Sequence, residues 1–276
     1  MIRDTFNYGF TKAKKLIPHG GRRRKTALWM EQFEAVHDFS DFAGAGGHQY
    51  VICSTPRSGS HYLGHLLYST GQFGYPLEYF NPVNIPFWQD RAEKKNHIDF
   101  ILRKRTSPNG CFGIKLHWSQ MGFFCRFLDQ YSGLDLSDFS FVFLTREDKL
   151  SQAVSAARAQ QSGAYISDVE ERGRLKYNRK LIQKKLSRTI SDEASWRYFF
   201  ALNDINYLNL KFEDVCRSPD EIVMQIAKHV GIADSVIHVN KAYLKKPQSD
   251  NLNSEWKRRF IEESILRRST GKGWLG

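Results

Sequence analysis

Cysteine is scarce in this 276-residue chain, and the four present (Cys53, Cys111, Cys125 and Cys216) stand far apart, with no CxxC pair and no dense framework. Such spacing excludes a disulfide-stapled fold and a cysteine-held zinc module, and it reads as reduced core thiols in a cytoplasmic protein. Long apolar runs are missing too: none approaches the roughly 20 residues that a membrane-crossing helix needs. The first residues, MIRDTFNYGFTKAKKLIPHG, have neither a continuous apolar stretch nor a small-residue cleavage site, which argues against a secretory signal. Internal repeats and Pro/Gly-rich linkers are also absent, so residues 48–276 read as a single domain behind a basic extension, 1–47.

What is present in excess is positive charge, +12 over the whole chain. Residues 1–28 hold Arg3, Lys12, Lys14, Lys15, Arg22, Arg23, Arg24 and Lys25 against Asp4 alone, a balance of +7. Ile2, Phe6, Phe10, Ala13 and Ile17 recur among these cations at roughly helical spacing, the pattern of a helix lying on an anionic membrane face. A solvated arm, or a helix docked on the domain, accounts for the same residues, and both readings stand at this point.

The remainder alternates strand with helix. QYVIC (49–53), CFGIKLHW (111–118) and FSFVFLT (139–145) are buried-strand patterns, and YLNLKF (207–212) has period two. Leu63, Leu66 and Leu67 mark the inward stripe of one helix, and Leu150, Ala153, Val154 and Ala157 that of another. In SPDEIVMQIAKHVGI, Ser218 precedes Pro219 and stands three residues before Glu221, the spacing of a capping box. Charged residues 165–195 predict helices laid over the sheet. Alternation of this kind predicts an α/β fold with a mostly parallel sheet covered on both faces.

Between the first strand and its helix runs STPRSGSHYL. A strand-to-helix turn exposes unpaired backbone N–H groups at the positive helix end, and Ser54, Thr55, Ser58 and Ser60 add hydroxyls while Arg57 adds a fixed charge. That is an anion cradle, although it lacks the glycine and lysine pattern of a triphosphate loop. A capped helix start has the same composition. After the third strand comes Arg146, followed by Ser151 and Ser155 on one helix face, a second candidate phosphate site. Alone, Arg146 would as readily pair with Glu147 or Asp148 at the surface. Two anion sites at the carboxyl ends of two strands suit a nucleotide with two separate phosphate groups.

TPRSGSHYL, TGQFGYPLEYFNP, FGIKLHW, FLTREDKLSQAVSAARAQQSGAY and LKFEDVCRSPDEIVMQIAKHVGI, in this order over roughly residues 48–260, resemble the Stf0-type (trehalose 2-sulfotransferase-like) sulfotransferases, relatives of the cytosolic and carbohydrate sulfotransferases. The resemblance implies the sulfotransferase fold, a P-loop-like, mostly parallel sheet flanked by helices. It also implies 3′-phosphoadenosine 5′-phosphosulfate (PAPS) as sulfuryl donor and 3′,5′-ADP as product. By the same resemblance Thr55, Arg57, Ser58, Gly59, Ser60 and His61 hold the 5′-phosphosulfate, Arg146 with Ser155 holds the 3′-phosphate, and Tyr62 and Phe212 flank the adenine. Cytosolic relatives differ: they carry lysine where Arg57 stands, tryptophan at Tyr62, tyrosine at Phe212, and the second-site serine at Val154, so Ser155 follows the Stf0-type pattern.

For chemistry, Glu78 aligns with the acidic residue that acts as general base in Stf0-type enzymes. His117 resembles the catalytic histidine of the Lys-x-His segment in cytosolic relatives, and a pKa near about 6.5 suits proton transfer at neutrality. Lys115 would stabilise the bridging oxygen, or simply form an ion pair at a strand end. No metal is expected, because the protein's own cations supply the neutralising charge. Tyr75, Tyr79, Phe80, Trp88 and Trp118 near Glu78 suit either stacking on a sugar or core packing. The expected acceptor is a carbohydrate or glycolipid hydroxyl, and a homodimer would fit the family. Two other classes stay open on the residues alone. A nucleotide kinase would share the architecture, and a non-catalytic nucleic-acid-binding protein would use the basic excess, although no nucleic-acid module is recognised.

Overall fold

The computed structural model describes residues 31–42, 47–93, 95–130, 134–164, 175–232, 237–240 and 251–269. The basic segment 1–28, and with it the expected membrane-facing helix, lies outside these residues. Four parallel strands, β1 (Gln49–Ser54), β2 (Phe112–His117), β3 (Phe139–Thr145) and β4 (Tyr207–Lys211), form one sheet in the order β2-β1-β3-β4. The helices are α1 (Ser60–Tyr68), α2 (Ile85–Arg91), α3 (His97–Arg105), α4 (Met121–Gln130), α5 (Lys149–Ser162), α6 (Arg179–Leu202), α7 (Phe212–Arg217), α8 (Pro219–Val230) and α9 (Asn251–Ser269). Among the described residues, no helix is long and apolar enough to cross a membrane.

Both faces of the sheet are covered, which is why its strands read as near-continuous apolar runs. Tyr50, Ile52, Val142, Leu144 and Leu210 lie under Leu63, Leu66 and Leu67 of α1 and under Ile222 and Ile226 of α8. On the opposite face Val51, Cys53, Ile114, Leu116, Phe141 and Phe143 meet Phe124 of α4 and Trp196 and Phe200 of α6. A third cluster joins Ala153, Val154 and Ala157 of α5 to Ile182 of α6 and to Trp256 and Phe260 of α9. Helix α6 takes up part of the charged 165–195 segment and lies over the sheet as expected, but its inner face buries Thr189, Asp192 and Glu193 besides Ile182 and Trp196, and Ile190 is exposed.

The strand order sets the site. The chain leaves β1 for β2 on one side and returns to β3 on the other, so a crevice opens between the carboxyl ends of β1 and β3, where parallel sheets place their ligands. In register with the last residue of β1, Ser54, stands His117 of β2. Because side chains alternate along a strand, Lys115 and His117 share the face of β2 opposite Ile114 and Leu116.

Three details differ from the expectation. Strand β4 stops at Lys211 and Phe212 opens α7. Ser218 does precede α8, but its side chain makes no cap bond. It is also the residue that ends α7, with its N–H donated to the Asp214 carbonyl at 2.9 Å, so the helix-to-helix corner rather than a hydroxyl positions it. Of the four cysteines only Cys53 and Cys111 are buried, and Cys216 is exposed.

Residues 73–80 run beside β2 without becoming a full strand. Leu77 bridges Ile114 in parallel, and the Lys115 N–H donates to the Leu77 carbonyl at 3.0 Å. The other end of this segment hangs on α3, where the Tyr75 N–H donates to the Arg105 carbonyl at 3.2 Å. Arg105 itself is fully buried between the Tyr75 and Trp88 rings. Its guanidinium donates to the carbonyls of Gln32, Glu34 and His37 and lies 3.3 Å from Asp38, which also takes a two-pronged bond from Arg91. Arg105→Leu should therefore leave Asp38 and three carbonyls short of donors. We expect a loss of about 3–5 kcal/mol in urea unfolding, since removing one partner of a buried ion pair strands the other.

Candidate active site

The loop after β1 has a strained backbone. Arg57 (φ 66°) and Gly59 (φ 89°) are both left-handed and bracket Ser58, whose N–H donates to the Thr55 carbonyl at 3.2 Å. Turns of this kind aim successive backbone N–H groups to one side. Gly59 is required twice over. Its φ disfavours any Cβ, and a Cβ there would lie 2.0 Å from the Phe212 ring. Ser60 opens α1 and is buried, and His61 sets its Nε2 2.9 Å from that of His65 one turn on.

Sequence reasoning missed the residue that braces the loop from α5. Gln152, fully buried, donates through Nε2 to Thr55 Oγ1 and to the Pro56 carbonyl, both at 2.8 Å. The signal was present in its place three residues before Ser155, on the same helix face.

The second expected site adjoins the first. Arg57 Nε donates to Ser155 Oγ at 2.9 Å, so Ser155 links the two loops. The Arg146 guanidinium sits 5.7 Å over the Phe212 ring, and Phe212 meets Tyr62 edge-on, with centroids 6.0 Å apart and planes at 88°. Surface pairing of Arg146 with Glu147 or Asp148 does not form. Glu147 pairs with Lys211 at 2.6 Å, and Asp148 caps α5 by accepting from the Ser151 N–H at 2.9 Å and hydroxyl at 2.7 Å. That commits Ser151 to the cap. Arg146 Nε is 4.0 Å from Glu213. Among the described residues, Arg146 Nε, Ser58 Oγ and Gln152 Oε1 are buried without a hydrogen-bond partner. Such groups cost roughly 1–3 kcal/mol each when left unmade.

Next to these groups, at the end of β2, lies a cluster of charges. Glu78 Oε1 is 3.1 Å from Lys115 Nζ and 3.4 Å from His117 Nε2, while Oε2 accepts from Asn81 Nδ2 at 2.8 Å and from Gln120 Nε2 at 2.7 Å. Burial pushes the Glu78 carboxyl up, but Lys115 and His117 outweigh it and hold the group well below the usual carboxylate range. The other ring nitrogen of His117, Nδ1, is 3.1 Å from Ser54 Oγ, and the Ser54 carbonyl accepts from Trp196 Nε1 at 3.0 Å. Asn81, Gln120 and Trp196 went unnoticed in the sequence. Only Gln120 had a readable sign, three residues after His117, where its side chain accepts from the His117 N–H at 3.2 Å in a reciprocal cap. Of the aromatic residues near Glu78, Tyr75, Tyr79, Phe80 and Trp88 are core, each no more than 6% exposed. Trp118 stays half-buried and meets Trp196 edge-on at 5.2 Å.

The model of the Stf0 sulphotransferase family matches residues 49–263, and the chain belongs to that family. It is a sulfotransferase. Trehalose 2-sulfotransferase of Mycolicibacterium smegmatis is 25% identical over 256 residues, and that of Mycobacterium tuberculosis is 24% identical over 262 residues. Each match covers 78% of this chain and 95% of the relative. Among solved structures, the sulfotransferase domain from the curacin biosynthetic pathway has a TM-score of 0.42 and 9% identity, covering 80% of this chain and 98% of that one.

The charge cluster makes a stability prediction. Glu78→Gln strands the Lys115 ammonium, whose side chain is 5% exposed, and should cost about 3–5 kcal/mol in urea unfolding. Adding Lys115→Met to the same chain should recover most of that loss, because an apolar side chain leaves no buried charge unpaired.

Proposed function

We propose that the protein transfers the sulfuryl group of PAPS to a hydroxyl of a carbohydrate acceptor, either a free sugar such as trehalose or a glycolipid, within a domain spanning residues 48–276. The observation that carries this reading is the adjacency, around one crevice, of buried polar groups without hydrogen-bond partners and a carboxylate held between a lysine and a histidine. The names of the two mycobacterial relatives support the choice of acceptor.

The residues present suit the donor's charge. Ser58 Oγ and Arg146 Nε are buried donors without a hydrogen-bond acceptor, which suits an anionic ligand, and the Phe212 ring packs on Gly59. In this reading Arg57, Ser58, Ser60, His61 and the N–H groups that open α1 grip the 5′-phosphosulfate, with the Thr55 hydroxyl held against Gln152. Arg146 takes the 3′-phosphate, Ser155 fixes Arg57 in place, and Tyr62 and Phe212 bound the adenine. Bound PAPS supplies an electrophilic sulfur on a good leaving group.

Glu78 accepts the proton of the acceptor hydroxyl while that oxygen bonds to sulfur and the bond from sulfur to the 5′-phosphate oxygen breaks. The leaving phosphate takes the electron pair, and Lys115 and Arg57 offset its charge. Because its neighbours hold the Glu78 carboxyl down, it stays ionised throughout the neutral range, and its pairing contributes stability that is lost only as pH falls below the usual carboxylate range.

Transfer of label from PAPS to a panel of trehalose, other sugars, glycolipids and phenols tests the acceptor class, and uniform failure on the carbohydrates ends it. Glu78→Gln should abolish turnover while 3′,5′-ADP binding persists. With Glu78 as base, kcat/KM should carry no acid limb between about pH 5 and 8, whereas a limb inside that window would take the role from Glu78. Arg146→Ala should weaken 3′,5′-ADP binding by about 1.5–3 kcal/mol, the worth of a charge-assisted bond to phosphate. Calorimetric titration reads it directly.

A further inference from the structure

One buried acid near the site has no part in the reaction as drawn. Asp192 on α6 is 5% exposed, yet its ion-pair partner is Arg188, one turn earlier and 60% exposed, with Nε 2.9 Å from Oδ2 and 2.8 Å from Oδ1. A solvent-screened arginine is a weak compensation for burying a carboxylate. A residue kept at such a cost, beside a catalytic cluster, points to a ligand.

Its position narrows the ligand. Trp196, one turn further along α6, donates to the Ser54 carbonyl, and Ser54 Oγ meets His117 Nδ1. The same helix packs on the turn Trp118–Gln120 that follows His117, through the Trp118–Trp196 contact. Asp192 is thereby close enough to His117 for the imidazole charge to act on it. It is not there to orient that ring, because Nδ1 faces Ser54 and Nε2 faces Glu78. Each carboxylate oxygen meets the same single N–H of Arg188 and has lone pairs left over for further donors. Paired oxygens of one carboxylate match the spacing of adjacent hydroxyls, and one turn further along α6 the half-buried Trp118 ring meets Trp196.

We infer that Asp192 is an acceptor-binding residue, whose carboxylate accepts hydrogen bonds from neighbouring hydroxyls of a sugar held against Glu78 and His117. This rests on the carbohydrate reading of the acceptor. It adds to that reading a side chain on α6, across the crevice from the donor loop's own residues, that selects polyhydroxylated acceptors over simple alcohols and phenols.

Steady-state kinetics with PAPS and trehalose test it on the full chain. Asp192→Asn should raise the acceptor KM about ten-fold or more, as loss of hydrogen bonds to a charged group predicts, with PAPS KM and 3′,5′-ADP affinity unchanged. Burial pushes the Asp192 carboxyl up against the pull of Arg188 and His117, so the ionised group costs stability at neutral pH, and the Asn variant should melt no lower than the parent protein. Arg188→Lys keeps a cation beside the carboxylate and should keep the acceptor KM. Equal rises in both variants would reduce the pair to a structural brace and overturn the inference. So would an unchanged acceptor KM in Asp192→Asn while trehalose is turned over. Failure of the parent protein on trehalose and the other carbohydrates would instead end the acceptor reading, and this inference with it.

Discussion

A single carboxylate between a lysine and a histidine organises this molecule. Glu78 comes from a segment that is not part of the sheet, and it reaches Lys115 and His117 because Leu77 pairs with Ile114 across the edge of β2. The backbone bridge sets the height of the carboxylate, and the two-residue repeat of β2 puts both side chains on its side. Remove the charge balance and a buried ammonium remains with no counterion, a penalty comparable to much of a domain's net stability of about 5–15 kcal/mol. The same contact therefore serves folding and chemistry, and Asn81 and Gln120 hold its second oxygen so that the first faces Lys115 and His117.

The donor loop depends on a different economy. Two left-handed residues in succession around Ser58 are unfavourable in isolation, and Arg57 is not a glycine. The strain persists because the surrounding structure over-determines it: Gln152 holds the loop carbonyl and hydroxyl, Ser155 holds the Arg57 side chain, and the Phe212 ring closes on Gly59. All three braces come from elements that follow β3 and β4, so the cradle after β1 takes its shape only once the sheet is assembled. The reversal in strand order between β2 and β3 is what brings those elements across the crevice.

Much of this was legible in the residues, and the remainder fails for identifiable reasons. β3 forms over the expected residues, and β1 and β2 fall within a residue of theirs, because buried parallel strands write their burial as uninterrupted apolar runs. The helix stripes at Leu63, Leu66 and Leu67 and at Ala153, Val154 and Ala157 are visible by period alone. Side-chain commitments are not. Ser151 and Ser155 look alike on one helix face, yet Asp148 takes the first into a cap and Arg57 takes the second across 98 positions of chain. Ser218 has the local spacing of a cap, but it lies at a corner between two helices that local spacing does not encode. Four of the five aromatic residues near Glu78 are core because Tyr75 packs on Tyr68 of α1, Tyr79 on Trp88 of α2 and Phe80 on Phe124 and Phe127 of α4, tertiary facts with no signature in a loop's composition. Gln152 is an ordinary amide whose role arises from Thr55 and Pro56, 97 and 96 positions away.

The low basicity imposed on Glu78 is at first sight a poor property for a base. Proton transfer to it, however, is not independent of sulfuryl transfer in the proposed reaction. Before transfer, the carboxylate cancels much of the positive charge of Lys115. Once Glu78 takes the acceptor proton, that cancellation ends, and the cluster turns net positive as negative charge grows on the leaving phosphate. A more basic carboxylate, further from Lys115, would bind the proton better and release less positive charge to the other side. Lys115 thus contributes twice: it keeps the base ionised in the resting protein, and it becomes available to the leaving group only when the base has acted. Separating the two functions would need another buried charge in a crevice that already holds Lys115, Glu78 and His117, and each such charge must be paired or it destabilises the fold.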